Sequence, residues 1–246
     1  VVHDIEAISQ VVQKHGAILV VDAVSGLGAT ELKQDDWGVD VVVAGSQKAL
    51  MTPPGLGFAS VSQRALDRAG EKSGGRYYFD WVNTAKNQRQ DPPNSPFTPP
   101  VTLFSALDVA LTMIADEGLE NVLKRHDLLA RATRAGAAAI GLDLYGDPDS
   151  RSTVVTAVAL PDSIDGGKVP KILRDDFGVT ANGGQSQLKG KIIRIAHCGY
   201  FGAFDILTSL SALEMTLGKL GYDLEQGAAV GAAQSVFIEA GSAVTA

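Results

Sequence analysis

The run AILVVD (17–22) is followed by VDVVVAG (39–45) and then by GFASVS (57–62). The first two runs are apolar on both faces, which is typical of buried strands in a parallel sheet rather than of edge strands. Each run leads into polar or glycine-containing sequence, and the carboxyl ends of parallel strands are where ligands usually bind. The pattern therefore predicts an α/β domain with a mainly parallel sheet, and candidate functional residues in the loops after its strands.

Helical patterns surround these strands. Asp4 caps a predicted helix that ends at Gly16, because an aspartate accepts unpaired N–H groups at a helix start and glycine favours a helix end. Residues 70–100 are polar, rich in glycine and proline, and lack a sustained period, which predicts a long surface excursion. Residues 101–140 are helical in pattern, with a break near 117–118.

After these two helical patterns the sequence alternates between strand-like and helical patterns, which predicts a second, small α+β domain. We place the domains at 1–120 and 121–246. Strand-like patterns cover 142–146, 152–161 and 191–197, and helical patterns cover 166–178 and 204–221. From Leu224 onward the sequence predicts a last helix and a frayed tail.

Composition excludes several classes of protein. The 246 residues are 45% hydrophobic and 20% charged, as in ordinary globular proteins. Against 21 Lys and Arg there are 28 Asp and Glu, and this net charge of −7 argues against binding to nucleic acid or to an anionic membrane. No apolar run approaches the roughly 18–20 residues of a membrane span. The single cysteine, Cys198, excludes a disulfide within the chain and suits a reducing compartment.

The two ends and the histidines complete these expectations. The chain starts at Val1 without a signal-peptide pattern and ends without a peroxisomal SKL signal, so we expect a cytoplasmic protein. His3, His15, His126 and His197 show no metal-ligand spacing, so we expect no metal site.

Two charged residues at strand ends point to cofactor chemistry. Asp22 closes the first buried run, and Lys48 follows the second in GSQKAL. A lysine held in an apolar pocket at a strand end can act as a Schiff-base nucleophile. Pyridoxal phosphate needs a lysine for its aldehyde, a carboxylate for its pyridinium nitrogen and donors for its phosphate. Asp22 and Lys48 match the first two needs.

Four blocks of sequence extend this match to a family. They are VVDAVSGLGA (20–29), AGSQKALMTPPGLGF (44–58), PFTPPVTLF (96–104) and KIIRIAHCGY (191–200), in this order. Together they resemble the class V aminotransferases of fold type I, within these the alanine–glyoxylate and serine–glyoxylate (serine–pyruvate) group. The resemblance runs over essentially the whole chain. It implies part of a large α/β domain followed by a small α+β domain, pyridoxal 5′-phosphate as cofactor, and a homodimer.

The resemblance assigns roles to six residues. Lys48 matches the Schiff-base lysine, which also moves the proton between Cα of the substrate and C4′ of the cofactor. Asp22 matches the partner of the pyridine nitrogen, and Val24 the residue on the ring face. Two residues, Gln47 and Thr98, match phosphate contacts, with Thr98 serving the neighbouring subunit. Arg194 matches the arginine that holds the substrate α-carboxylate, a role suited to a bidentate guanidinium.

Departures from the family pattern limit this assignment. Family members carry an N-terminal part with the phosphate-binding glycine loop and the aromatic residue on the cofactor ring, so we expect an N-terminally truncated sequence. Ser95 stands where relatives have a tyrosine beside Thr98. Cysteine desulfurases share the fold, but they have a histidine before the lysine, where this chain has Gln47. They also carry a cysteine on a mobile loop, whereas Cys198 lies on a different element.

The predicted reaction transfers an amino group from L-alanine or L-serine to glyoxylate or pyruvate. One alternative is transamination of aspartate or phosphoserine, which needs a second basic residue, for which Arg76 and Arg89 are candidates. Another alternative is a non-catalytic subunit of a soluble hydrogenase complex, as some relatives are labelled.

Overall fold

The three apolar runs of the first half form one small sheet in the computed structural model, which describes residues 1–72 and 74–241. The strands are β1 (Val20–Asp22), β2 (Val41–Gly45) and β3 (Gly57–Val61), in the order β1-β2-β3. β1 is parallel to β2, with Asp22 opposite Val43. The carboxyl ends of these two strands therefore lie at the same edge of the sheet.

The third strand departs from the expected parallel arrangement, because β3 is antiparallel to β2. The connection 46–56 holds no helix, and a parallel return normally needs a crossover of a dozen or more residues. The carboxyl end of β3 therefore lies at the opposite edge, away from the ends of β1 and β2. β1 is also an edge strand of this chain, with Val20 56% exposed, so the prediction of an interior position for it was wrong.

The chain divides into two compact units. The first comprises residues 4–27 and 31–116, and the second comprises 1–3, 28–30 and 117–241. The predicted tail falls partly on 242–246, outside the described residues.

Four helices accompany the first sheet. They are α1 (Ile5–Lys14), α2 (Gln63–Gly70), α3 (Trp81–Gln88) and α4 (Val101–Glu117). Asp4 caps α1 as predicted, because its Oδ1 accepts the Ala7 N–H at 2.9 Å. The predicted excursion 70–100 is largely exposed, but it contains α3, which the sequence pattern did not reveal. Asp80 begins this two-turn helix by accepting the Asn83 N–H at 3.1 Å.

A buried carboxylate, Asp40, ties the amino-terminal edge of the first sheet together. Its oxygens accept hydrogen bonds from the Leu19 N–H (2.9 Å), the Ser62 hydroxyl (3.0 Å) and the Arg64 guanidinium. Burial alone favours the protonated acid, but these donors lower the pKa of Asp40 below its usual range. One side chain thus connects the residue before β1, the residue after β3 and helix α2.

The second unit is an antiparallel α+β arrangement, as the sequence predicts. Its strands β4 (Val155–Ala159), β5 (Asn182–Gly183) and β6 (Ile192–Ala196) pair in the order β4-β6-β5. Its helices are α5 (Leu119–Ala139), α6 (Val169–Phe177), α7 (Ala203–Lys219) and α8 (Ala228–Glu239). The strand-like pattern at 142–146 forms only a single bridge, from Leu144 to Val158.

The core of the second unit lies where α5, α7 and α8 pack together and against the sheet. Fully buried apolar side chains from these helices and from β4 and β6 fill it, including Leu129, Leu213, Val158 and Ile193. A buried carboxylate, Glu214 on α7, accepts the N–H groups of Gly227 (3.1 Å) and Ala229 (2.6 Å), and so caps the start of α8.

We expect Asp40→Asn to lower the free energy of unfolding of the first unit by about 2–3 kcal/mol, because an uncharged amide cannot satisfy three kinds of donor at once. Urea unfolding followed by tryptophan fluorescence measures this, since both tryptophans, Trp37 and Trp81, lie in the first unit. Asp36→Asn is the matched control, because Asp36 is exposed. Equal stability of the two variants would contradict the role given to Asp40.

Candidate functional site

The parallel pairing of β1 and β2 brings Asp22 to the same sheet edge as the residues that follow Gly45. Asp22 is the last residue of β1 and is exposed. Its Oδ1 accepts the Val24 N–H at 3.0 Å, which orients the carboxylate at the start of the turn after the strand. Val24 is half-buried in that turn. Four of the six predicted residues, Asp22, Val24, Gln47 and Lys48, thus follow two adjacent parallel strands.

The lysine loop, defined as residues 46–56, is closed by a buried serine. Ser46 is fully buried; its hydroxyl donates to the Pro53 carbonyl (2.7 Å) and accepts the Leu56 N–H (3.2 Å). Its own N–H donates to the Leu56 carbonyl at 3.1 Å. Ser46 therefore joins both ends of the loop that carries Lys48. Sequence reasoning missed this residue, although a serine at the end of a buried strand is a signal that could have found it.

Lys48 is the first residue of a tight turn within the lysine loop. Its carbonyl accepts the Met51 N–H at 3.0 Å, and Met51 has a φ of 54°, a left-handed conformation that is unusual for a residue with a side chain. Lys48 is half-buried, and its ammonium makes no hydrogen bond or ion pair with any described residue. The neighbouring Gln47 is exposed. The backbone of the turn thus positions Lys48, and its side-chain amine is available to react with a ligand.

Thr98 lies apart from the strand ends, in an exposed segment of the first unit. It makes no hydrogen bond with the described residues. Ser95, by contrast, donates its hydroxyl to the Phe97 carbonyl at 2.7 Å. Phe97 packs against the rings of Tyr77 and Tyr78, with centroids 5.4 and 4.8 Å away. The Ser95 hydroxyl is therefore used within the segment, whereas the exposed Thr98 hydroxyl is available to bind another group.

Arg194 belongs to the second unit, in the centre of β6. It is half-buried, and its Nε donates to the Gly183 carbonyl at 3.0 Å. No carboxylate of the described residues pairs with it. The Gly183 carbonyl, which sequence reasoning did not single out, orients a guanidinium whose other donors remain available. A charge held in this way suits recognition of a carboxylate.

Two buried histidines and an arginine hold the segment that follows β6. His197 contacts the Thr153 carbonyl through Nδ1 and the Thr156 hydroxyl through Nε2, both at 2.9 Å. His126 Nε2 accepts the Gly199 N–H at 3.1 Å. Arg125, itself paired with Glu117, donates to the Gly199 carbonyl at 2.8 Å. Both histidine rings are fully buried, and they hold the backbone in place rather than face a ligand site.

Burial sets the charge of both histidines. It lowers the pKa of His126 and lowers the pKa of His197 to about 4, with the nearby Arg134 also disfavouring the charged ring of His197. Both rings are consequently neutral at physiological pH, and a neutral ring is required for Nε2 to accept the hydrogen bonds described above.

The described residues contain no cluster of three or more His, Cys, Asp or Glu side chains arranged to hold a metal ion. Within the same residues, no helix has the length and apolar character needed to cross a membrane. Cys198 is half-buried.

Known proteins with similar sequences carry two kinds of description. The profile of the family described as Aminotransferase class-V matches residues 1–197. A "Soluble hydrogenase, small subunit" of Synechococcus sp. (strain PCC 6716) is 43% identical over 238 residues, covering 96% of this chain and 61% of that protein. A serine–glyoxylate aminotransferase of Methylorubrum extorquens is 40% identical over 232 residues, covering 92% of this chain and 57% of that protein.

Solved structures resemble the chain over nearly its whole length. The pyridoxamine–pyruvate aminotransferase of Mesorhizobium loti matches with a TM-score of 0.90 and 34% identity, covering 97% of this chain and 62% of that one. The ureidoglycine–glyoxylate aminotransferase of Bacillus subtilis matches with a TM-score of 0.88 and 31% identity, covering 96% and 62%. The chain thus spans about three fifths of the length of these relatives.

We expect Ser46→Ala to loosen the lysine loop, because it leaves the Leu56 N–H and the Pro53 carbonyl without their buried partner. Trypsin cleavage after Lys48 should accelerate by about tenfold, the equivalent of roughly 1.4 kcal/mol of local stability. Ser60→Ala, on the exposed side of β3, is the control and should leave the rate unchanged. Equal cleavage rates in the two variants would remove the clamp role from Ser46.

The lowered pKa of His197 predicts a stability change with a defined sign. Between about pH 4 and the ordinary value of 6.5, the unfolded chain binds more protons at this residue than the folded chain does, so stability falls as the pH falls. The full loss is about 3 kcal/mol. Thermal unfolding followed by circular dichroism should show that the wild type is more stable than His197→Asn near pH 6.5. This difference in stability should shrink as the pH is lowered to about 4. His15→Asn, at an exposed position, is the control; a pH-independent difference for His197→Asn would refute the assignment.

Proposed function

This chain belongs to the class V aminotransferase family, and from that premise we propose that it carries the lysine and substrate-arginine parts of a pyridoxal-phosphate-dependent aminotransferase. The predicted fold class is confirmed, since two solved aminotransferases match nearly the whole chain. The observation that carries the proposal is the placement of Asp22 and the lysine loop at the carboxyl ends of two adjacent parallel strands.

The donors at this edge fit the proposed cofactor. The Asp22 carboxylate is exposed and uses one oxygen for a local backbone contact, which leaves the other for a protonated ring nitrogen. The Lys48 amine has no competing partner among the described residues. Gln47 and Thr98 present exposed side chains that can donate to a phosphate. When bound, pyridoxal phosphate supplies an aldehyde that links to an amine and a cationic ring that withdraws electrons from the substrate Cα.

Each residue then has a physical task. Asp22 keeps the proton on the ring nitrogen, because a carboxylate next to that atom favours its charged form. With the cofactor and substrate bound, Lys48 Nζ would serve as general base toward the substrate Cα and as general acid toward C4′ of the cofactor. Val24 excludes water from one face of the ring. Ser46 acts through the loop backbone and is a positioning residue for Lys48.

For substrate binding we propose Arg194, which would hold the α-carboxylate and so orient the Cα–H bond. The donor would be L-alanine or L-serine and the acceptor glyoxylate or pyruvate. Aspartate or phosphoserine would need a second cation. Arg76 is hydrogen-bonded to the Ala69 carbonyl, and Arg89 to the Gln63 side chain, which supports the smaller substrates.

A homodimer and a cytoplasmic location complete the proposal. Support for a second copy comes from apolar side chains exposed along α4, among them Val101, Phe104 and Val109, next to the open Thr98. The single cysteine, Cys198, supports a reducing compartment. We assign the first unit to the large cofactor-binding domain and residues 117–241 to the small domain.

The alternative of a hydrogenase subunit rests on two relatives that are described as soluble hydrogenase subunits. The chain retains Asp22, Lys48 and Arg194, the residues that transamination would need, and this favours an aminotransferase over a non-catalytic subunit.

We expect the chain with pyridoxal phosphate to absorb in the visible range, to lose this band with L-alanine or L-serine, and to regain it with glyoxylate. Lys48→Ala should abolish the cycle, because it removes the proposed Schiff-base amine, whereas Lys14→Ala, at the exposed end of α1, should not. Absorption spectroscopy and single-turnover measurements provide the readout. Aspartate and phosphoserine added in parallel test the alternative donors.

Turnover that survives Lys48→Ala would refute the assigned lysine. A chain that binds no cofactor, both alone and joined to the additional length its relatives have, would favour the subunit alternative; copurification with a stoichiometric redox partner would then support it.

A further inference from the structure

A partly open cavity of about 250 Å³ lies within the second unit, beside strand β4. Its lining includes two arginines, Arg134 on α5 and Arg151 after the turn at 148–150. The wall also includes Val1 and the polar residues Tyr145, Asp147, Ser150, Ser152 and Thr156. None of these belongs to the proposed cofactor and substrate residues.

Neither arginine of this cavity is neutralised. Arg134 donates through Nη2 to the Ser152 carbonyl, and its Nε is buried without a hydrogen-bond partner among the described residues. Arg151 makes only long contacts, at 3.4 and 3.3 Å, with the carbonyls of Leu144 and Gly146. Its Nε is also buried without a partner. No ion pair within the described part of the chain involves either guanidinium.

The same unit shows how a buried arginine is otherwise satisfied. Arg125, nine residues before Arg134 on α5, pairs through two nitrogens with Glu117 and donates to two backbone carbonyls. In a chain with an excess of seven negative charges, a neighbouring pair of uncompensated cations is the exception. Buried polar groups that lack partners call for a bound water or ion as an explanation.

The nearby carboxylates are engaged elsewhere. Asp147 accepts the Asp149 N–H at 3.0 Å and so caps the turn at 148–150. Asp127 pairs with Arg131 at 2.8 Å on the exposed side of α5. Burial lowers the pKa of Arg134, and the nearby charge of Arg151 lowers it further, while the charge of Asp127 raises it.

We propose that this cavity, between Arg134 and Arg151, binds a small oxyanion with two negative charges, in the form of a phosphate group. Two guanidiniums offer forked donors that match tetrahedral oxygens, and a dianion neutralises both of them. The volume exceeds the roughly 30 Å³ share of a water molecule several times over, so a phosphate with its residual waters fits. This site is distinct in residues from the cofactor phosphate contacts Gln47 and Thr98.

The test is an NMR titration of the chain labelled with ¹⁵N-arginine, without pyridoxal phosphate, at about pH 8 where phosphate carries two charges. Ionic strength is kept constant with sodium chloride. Inorganic phosphate should shift the Nε–Hε signals of Arg134 and Arg151 to saturation, with the signal of Arg131 unmoved. A parallel titration with glycerol phosphate distinguishes a free anion from a phosphate monoester as the preferred form.

Arg151→Gln and Arg134→Gln should each weaken phosphate binding by about tenfold or more. Arg131→Gln, one turn away on the exposed face of α5, is the matched control and should bind as the wild type does. If Arg134→Gln fails to fold, the wild-type titration and Arg151→Gln decide. Shifts no larger than those caused by chloride, or binding that survives Arg151→Gln, would overturn the proposal. The readout requires no activity, so it stands or falls separately from the proposed transamination.

Discussion

The buried carboxylate of Asp40 is the interaction on which the candidate cofactor edge depends. It holds the residue before β1, the residue after β3 and helix α2 through charge-assisted hydrogen bonds. These bonds fix the strand register at the amino-terminal edge of the sheet. Because β1 and β2 are parallel, fixing one edge also fixes the other, and Asp22 and the lysine loop lie there. The Asp40 carboxylate at one edge of the sheet thus helps to set the positions of Asp22 and the lysine loop at the other edge.

The second unit uses the same principle around Arg194. Neutral His197 and His126, together with Arg125, hold the backbone just after β6, while the Gly183 carbonyl holds the guanidinium itself. Each of these contacts is buried or partly buried, where an unmade hydrogen bond costs more than at the surface. The Arg194 guanidinium therefore lies on a strand whose following backbone is held by several hydrogen bonds. Arg134 and Arg151 depart from this pattern, which is why they support a ligand rather than a packing role.

Much of this arrangement could be predicted from local sequence. Apolar runs indicated β2 and β3, the break near 117–118 separated α4 from α5, and Gly178 ends α6 in a left-handed conformation, as expected. The direction of β3 could not be predicted, because it depends on how a helix-free connection must return across the sheet. Helix α3 was missed because two turns within a polar segment leave little periodic signal. Ser46 was missed because its partners, Pro53 and Leu56, become neighbours only when the loop closes.

The sequence by itself determined the fold class, the family, and the candidate residues Asp22, Lys48 and Arg194, because strand patterns and ordered motifs are properties of neighbouring residues. Only the tertiary structure decided which groups are paired and which remain available. It engages Asp40 with Arg64 and Glu117 with Arg125, and among the described residues it leaves the Lys48 amine without a partner and the guanidiniums of Arg134 and Arg151 without an ion pair. The physical reason is that ion pairing and burial are set by residues distant in the sequence, whose proximity no local pattern records.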